Sequence, residues 1–290
     1  MKLYAISDLH LDFRVNREAL ADLPEFPEDG LITGGDLCTT EQHLDDALTV
    51  LCRKFKKVFW VPGNHELWSC KSPAKNGEFL HGEAKYRALV SICRRHGVHT
   101  PEDPFETWPA HGEDHVIAPL FIPYDYSFRP ENVALEDAVS WAMESGVLCS
   151  DERLIEPRPH TSIIEWCQAR YEYSITRLDA VAQAGPLVIV NHFPLRKELV
   201  RIRRIPRFSI WCGTKLTESL HKKYRVRVAV SGHLHVRATD YRDKVRFEEV
   251  SLGYPRDWDQ TKGMAHYLRE ILPGPAEHPE EVQGPIWHYY

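Results

Sequence analysis

Eight side chains able to ligate a metal ion or move a proton recur in short clusters along this chain. Asp8 and His10 stand two residues apart in SDLH, and Asp36 closes GGD. Asn64 and His65 are adjacent in GNHE, His192 lies in NHFP, and His233 and His235 stand two apart in GHLH. In extended backbone, residues i and i+2 point to the same side, so each spaced pair aims at one point. Imidazole and carboxylate suit Zn, Mn, Fe or Ni, and no thiolate appears in these clusters. A lone aspartate after a strand is usually a turn residue, and a lone histidine is more often a surface or core residue. The remaining histidines keep that reading. Five clusters in succession, each after an apolar run, argue for one shared site.

The elements that must position them are short apolar runs: KLYAIS before Asp8, LITGG before Asp36, KVFWVPG before Asn64, HVIAPLFI before Pro123, PLVIV before Asn191 and RVRVAVSG before His233. Their length and their Val, Ile and aromatic content predict buried strands. In open α/β sheets, sites form outside the carboxyl ends of strands, so the five clusters would meet in one crevice. Helical patterns occupy 41–55, 82–97, 132–146 and 162–185. Thr40 is placed to cap the first, and Gly185 to follow the last. Strand–helix alternation over the first 65 residues predicts β-α-β units. The stretch 237–254 alternates as an antiparallel hairpin with Arg242-Asp243 near its turn. The expected class is a mixed α/β fold with helices outside the sheet, forming a single domain over 1–271. Residues 68–115 read as a polar insertion around one helix. The Pro-, Gly- and Glu-rich tail 272–290 is expected to add nothing to the core, although its closing aromatics are available to dock.

Bulk properties narrow the classes. At 290 residues with 43% hydrophobic and 27% charged content, the chain is long enough for a substantial core without disulfides. No apolar run approaches the ~20 residues of a membrane span. Asp8 interrupts the N-terminus before a signal-peptide core forms, and the expected location is cytoplasmic. Seven scattered cysteines without a C-x-x-C pair read as reduced thiols. A net charge of −6 argues against broad nucleic-acid binding.

The ordered set SDLH…GGD…GNHE…NHFP…GHLH resembles the calcineurin-like metallophosphoesterases over about residues 3–250. That resemblance implies two mixed β-sheets packed as a sandwich flanked by helices, with a dinuclear site at the strand ends. By motif, Asp8, His10 and His235 would bind the first metal, Asn64, His192 and His233 the second, and Asp36 would bridge them. The cofactors implied are two divalent or trivalent ions (Mn, Fe or Zn). The amide oxygen of Asn64 would ligate without adding negative charge, keeping the pair cationic toward a phosphate. His65 would stand over the open face of the metals, placed to protonate a leaving oxygen, and Glu66 would orient or cap its loop. The protein phosphatases of the family extend the second motif to G-D-x-x-D-R-G, whereas this chain reads GDLCTTE. Thr39 replaces the second aspartate, which points toward a phosphodiesterase.

ELW, GVLCSDE (146–152), IWCGTKLT (210–217) and RFEEVSLGYPR (246–256) are similar to mycobacterial phosphopantetheinyl hydrolases, which remove the phosphopantetheine arm from acyl carrier proteins. CGTKLT is not a P-loop, because it lacks the G-x-x-x-x-G-K-[ST] spacing. The densest basic stretch, LRKELVRIRRIPR (195–207), begins three residues after His192. Arg196, Arg201, Arg203 and Arg204, with Lys215, are therefore candidates to contact an acidic carrier protein. Three alternatives stand beside this reading: a phosphodiesterase or phosphatase of small molecules or nucleotides, a nuclease of the same superfamily, and a non-catalytic scaffold of the same fold. A nuclease would want a broader basic track, and the full cluster set argues against a scaffold.

Overall fold

The structure, a computed structural model describing residues 1–69 and 79–288, turns the apolar runs into two mixed sheets. The strands are β1 (Leu3–Ile6), β2 (Phe26–Thr33), β3 (Phe55–Trp60), β4 (Glu106–Ala110), β5 (Glu113–Pro119), β6 (Leu187–Val190), β7 (Val226–Ser231), β8 (Ala238–Arg242), β9 (Val245–Glu249), β10 (Arg269–Leu272) and β11 (Ile286–Trp287). The helices are α1 (Arg14–Ala21), α2 (Glu41–Lys54), α3 (Asn64–Leu67), α4 (Gly82–Arg95), α5 (Ala138–Met143), α6 (Asp151–Leu154), α7 (Ile163–Val181) and α8 (Leu220–Lys223). One sheet has the order β10-β1-β2-β3, and the other β11-β8-β9-β7-β6-β5-β4. In the first, β1, β2 and β3 are parallel; in the second, β5, β6, β7 and β9 are parallel.

Alternation along each central strand builds three apolar layers. Leu3, Ala5, Ile32 and Phe59 face Ile117, Val188, Val190, Val228 and Val230 between the sheets. The opposite side of the first sheet (Ile6, Leu31, Val58, Trp60) packs on α2 and α4 through Leu44, Leu48, Leu51, Tyr86 and Leu89. The outer side of the second sheet (Val116, Ala118, Leu187, Ile189, Ala229) packs on α7 and α8 through Leu178 and Leu220. Burial on both faces is why these strands read as continuous apolar runs.

Several boundaries differ from the sequence expectation. Of 132–146 only Ala138–Met143 is helical; Leu135 stays exposed, while Ala138 and Ala142 are buried in the cluster around Phe193 and Trp211, with Val139 and Trp141 packed partly buried against it. Thr40 and Ser162 cap α2 and α7 through the N–H groups of His43 and Glu165. Helix α7 stops at Val181, short of Gly185. The hairpin turn is Asp243-Lys244, both left-handed (φ 52° and 63°), one residue beyond the expected pair and matching the twist two-residue hairpins favour. The 68–115 segment is less of an insertion than its polarity suggests. The inward face of α4 (Tyr86, Leu89, Val90, Cys93) belongs to the core, and β4 forms a sheet edge, where Pro109 is tolerated. Most of SCKSPAKNGEF, with Cys70, lies outside the described residues; the other six cysteines are free thiols.

The tail also contributes more than its composition implies. Leu272 is buried in β10, His278 is buried, and Ile286 and Trp287 pair with β8 as an edge strand. Pairing requires only backbone groups and an open edge, so a Pro- and Glu-rich segment can supply it. Tyr289 and Tyr290 lie outside the described residues.

One buried ion cluster ties α4 to α7. Glu102 accepts from Arg170 Nη2 (2.7 Å), Tyr86 Oη (2.8 Å) and Arg87 Nη1 (2.7 Å). Burial opposes the charged carboxylate, but the Arg170 charge and these bonds outweigh it and hold Glu102 down at about 2. The stabilisation is complete above the ordinary value of 4.5 and is lost as pH falls toward about 2. Glu102→Gln is expected to cost about 3–5 kcal/mol at neutral pH, because Arg170 is left buried without its counter-charge. Urea denaturation at several pH values should show wild-type stability falling through that window and the variant's profile flattening there. Superimposable pH profiles would rule the linkage out.

Candidate metal centre

The five clusters arrive where expected, just past the carboxyl ends of β1, β2, β3, β6 and β7. Their backbones are unusual: Asp8 (φ 54°), His10 (43°), Asp36 (54°), His233 (74°) and His235 (53°) are all left-handed, a region Asp and His enter more readily than most residues. The loops pack too closely for side chains between them. Gly35 (φ 94°) would place a Cβ 2.6 Å from His192 Nδ1, and a Cβ on Gly63 would strike the Asp36 carboxylate. Glu66, buried at the start of α3, accepts from the N–H groups of Asp36 (2.8 Å), Leu37 (2.7 Å) and Gly63 (2.9 Å). Its orienting and capping readings are thus one role: it locks the GGD loop to the GNHE loop. Burial pushes the Glu66 carboxyl up to about 8.

Among the described residues, three groups each bring their ligand atoms within 4.8 Å of one another: Asp8, His10 and His235; His10, Asp36 and His65; and Asp36, His192 and His233. Asn64 Oδ1 joins the last group, 3.1 Å from His233 Nδ1 and 3.3 Å from His192 Nε2. His10 Nε2 and His235 Nε2 face each other at 3.0 Å, and His235 Nε2 is 3.2 Å from Asp8 Oδ1. His233 Nε2 is buried without a hydrogen-bond partner among the described residues.

This donor set fits divalent cations. Imidazole nitrogens and an amide oxygen turned on one another repel unless a proton or a cation lies between them. Burial drives His10 and His233 down to about 4 and about 3, which keeps both rings neutral and their lone pairs available. Burial also disfavours charge on His192 and His235. There the surrounding carboxylates outweigh it, chiefly Asp36 for His192 and Asp257 with Asp8 for His235, and raise both to about 10. The outer nitrogens are anchored as metal-binding histidines require: His192 Nδ1 lies 2.8 Å from the Gly34 carbonyl, and His235 Nδ1 lies 3.2 Å from Asp257 Oδ2.

His65 is at the mouth of the centre. Its N–H donates to Asp36 Oδ1 (2.8 Å), its Nε2 is 3.8 Å from Asp36 Oδ2, and its ring packs on Trp68 with centroids 3.7 Å apart. It shares with His10 a cavity of about 810 Å³ walled by Phe13, Trp68 and Tyr254. Tyr254 stacks on His10 at 4.3 Å. Thr39, also lining this cavity, donates to Asp12 Oδ1 (2.7 Å). Trp68 and Tyr254 lie in the stretches ELW and RFEEVSLGYPR, whose resemblance carried no role. Asp257 left no signal, being one aspartate in an undistinguished turn.

The candidate substrate residues divide. Arg201 is clamped by Asp240 through two bonds (2.5 and 2.7 Å). Arg196 is held by Glu198 (2.6 Å) and the His221 ring (2.7 Å). Both therefore serve intramolecular pairs. Arg203, Arg204 and Lys215 are exposed. The arginines precede Phe208, whose ring stacks 5.9 Å from that of His233.

Comparison with known proteins agrees with this geometry. The calcineurin-like phosphoesterase family model matches residues 1–237. The chain is 41% identical over 279 residues to the [Acyl-carrier-protein] phosphodiesterase PptH of Mycobacterium tuberculosis, covering 96% of this chain and 85% of that protein. The crystal structure of Phosphopantetheinyl Hydrolase (PptH) from the same organism superposes with a TM-score of 0.88 at 40% identity, covering 96% of this chain and 98% of that one. No helix among the described residues is long and apolar enough to cross a membrane. The chain belongs to the calcineurin-like phosphoesterase family and is a metal-dependent phosphoric ester hydrolase.

Proposed function

We propose that this protein hydrolyses the phosphodiester that joins 4′-phosphopantetheine to an acyl carrier protein, releasing the apo-protein. The observation that carries this reading is the 41% identity, across 96% of the chain, to a relative named for that activity. Asp8, His10 and His235 would hold one ion, Asn64, His192 and His233 the other, with Asp36 shared. Metal ions bound there supply Lewis acidity to the phosphoryl oxygens and lower the pKa of an attacking water. His65, at the cavity side of Asp36, gives its proton to the departing serine oxygen of the carrier. Thr39 in place of a carboxylate leaves His65 without the acidic partner found in the protein phosphatases.

The two flanks of the centre suit the two halves of such a substrate. The aromatic cavity over His10 and His65 accepts a slender, flexible arm, while the exposed Arg203 and Arg204 stand on the loop leading to Phe208, whose ring stacks on that of His233. An acidic carrier would be drawn to that loop, raising the association rate at low salt. Intact-mass spectrometry of holo-carrier protein tests the reading: the carrier should lose the whole phosphopantetheine arm, and only with metal present. Charge reversal of Arg203 and Arg204 should lower kcat/KM for the carrier by about tenfold or more at low ionic strength, converging with wild type as salt rises. Turnover of bis-p-nitrophenyl phosphate should not change. An unaltered carrier mass alongside brisk hydrolysis of the small diester would leave the family assignment standing and remove the carrier as substrate.

A further inference from the structure

Two of the stretches without an assigned role, ELW and GVLCSDE, meet at one buried carboxylate. Asp151, at the start of α6 and 1% exposed, accepts hydrogen bonds at Oδ1 from both Asn64 Nδ2 (3.0 Å) and Trp68 Nε1 (2.7 Å). Its Oδ2 has no hydrogen-bond partner among the described residues. The next residue, Glu152, accepts from Trp211 Nε1 (2.6 Å) and Tyr126 Oη (2.7 Å), which pins this turn of chain in place.

The two ends of an asparagine amide are nearly isosteric, and only the oxygen end can face a cation. Donation from Nδ2 to Asp151 decides which end does so. It leaves Oδ1 directed at His192 and His233, at 3.3 and 3.1 Å. The same carboxylate oxygen fixes the Trp68 indole against which the His65 ring packs. We infer that Asp151 is a positioning residue for the hydrolysis: one acceptor oxygen sets both the orientation of the Asn64 amide and the wall behind His65. The inference rests on Asn64 serving as a ligand of the second ion.

The geometry separates position from charge. Because both donors meet one oxygen and the other oxygen has no partner, a neutral isostere can keep both bonds by placing its amide oxygen at the Oδ1 position. Asp151→Asn should therefore retain two metals per chain and a kcat on bis-p-nitrophenyl phosphate within about threefold of wild type, whereas Asp151→Ala should weaken the second ion by about 10- to 100-fold, the usual cost of losing an outer partner. Metal content after dialysis against graded chelator reads the first effect without relying on activity. Asp151→Ser, in which water can fill the gap, replaces the alanine variant if that chain does not fold. Wild-type metal retention and kcat in the truncated variants would overturn the inference, as would an Asp151→Asn protein impaired as badly as they are. Asn64→Ala measured alongside keeps the premise separate: if it holds both ions, the ligand assignment fails; if it loses one while the truncations do not, only the role of Asp151 fails.

Discussion

Asp36→Asn is expected to reduce turnover by at least about 10⁴-fold, equivalent to about 5–6 kcal/mol of transition-state stabilisation. The substitution changes little else. The amide oxygen can still accept from the His65 N–H, which Oδ1 does at 2.8 Å, and the Asp36 N–H keeps its bond to Glu66. What disappears is the negative charge facing His192 at 3.5 Å and His65 at 3.8 Å, the charge proposed to be shared between two cations. Burial works against that charge, yet the surrounding histidines hold Asp36 well below the ordinary carboxylate range. A neutral amide in the same place can satisfy one ion at most. Metal analysis should therefore fall from two ions per chain toward one, with a larger loss of turnover than from removing any single terminal ligand such as His235. Near-normal turnover in the folded variant would show that Asp36 is not shared.

His65→Ala should lower kcat by about 100- to 10,000-fold, the usual range for lost acid–base assistance, with metal content unchanged. The ring is 13% exposed toward the cavity and rests between Trp68 and His10, at 3.7 and 4.7 Å between centroids. The diagnostic is the leaving group. A p-nitrophenolate departs with little need of a proton, whereas an alkoxide such as the serine of a carrier protein requires one, so the loss should be much smaller for nitrophenyl than for alkyl esters. Equal losses on both would mean that His65 holds the substrate and donates no proton.

The site was legible in the sequence because each cluster sits directly after an apolar run. Chain order and strand periodicity together bring Asp8, Asp36, Asn64, His192 and His233 to one rim. What orients those groups was not legible. Asp151 meets Asn64 across 87 residues, and Asp257 meets His235 across 22, from the turn after Tyr254. No spacing rule links such pairs. Pairing within the chain was hidden for a related reason: Arg201 belongs to a basic run, but its partner Asp240 is 39 residues away, invisible to a local count. Composition failed likewise for the tail, because strand pairing at β11 depends on which edge lies open, and side-chain identity says little about that.

The position of β1 has a consequence for biosynthesis. This strand lies between β2 and β10, so one of its edges stays unpaired until translation reaches Arg269–Leu272. At roughly 5–20 residues per second, that leaves the edge bare for about 15–50 s after the strand itself has been made. The metal centre keeps the same timetable, with His10 and His235 separated by 225 residues. A nascent chain stalled before β7 would carry a partial ligand set beside a naked strand edge, which is a surface for chaperones or aggregation and no catalyst.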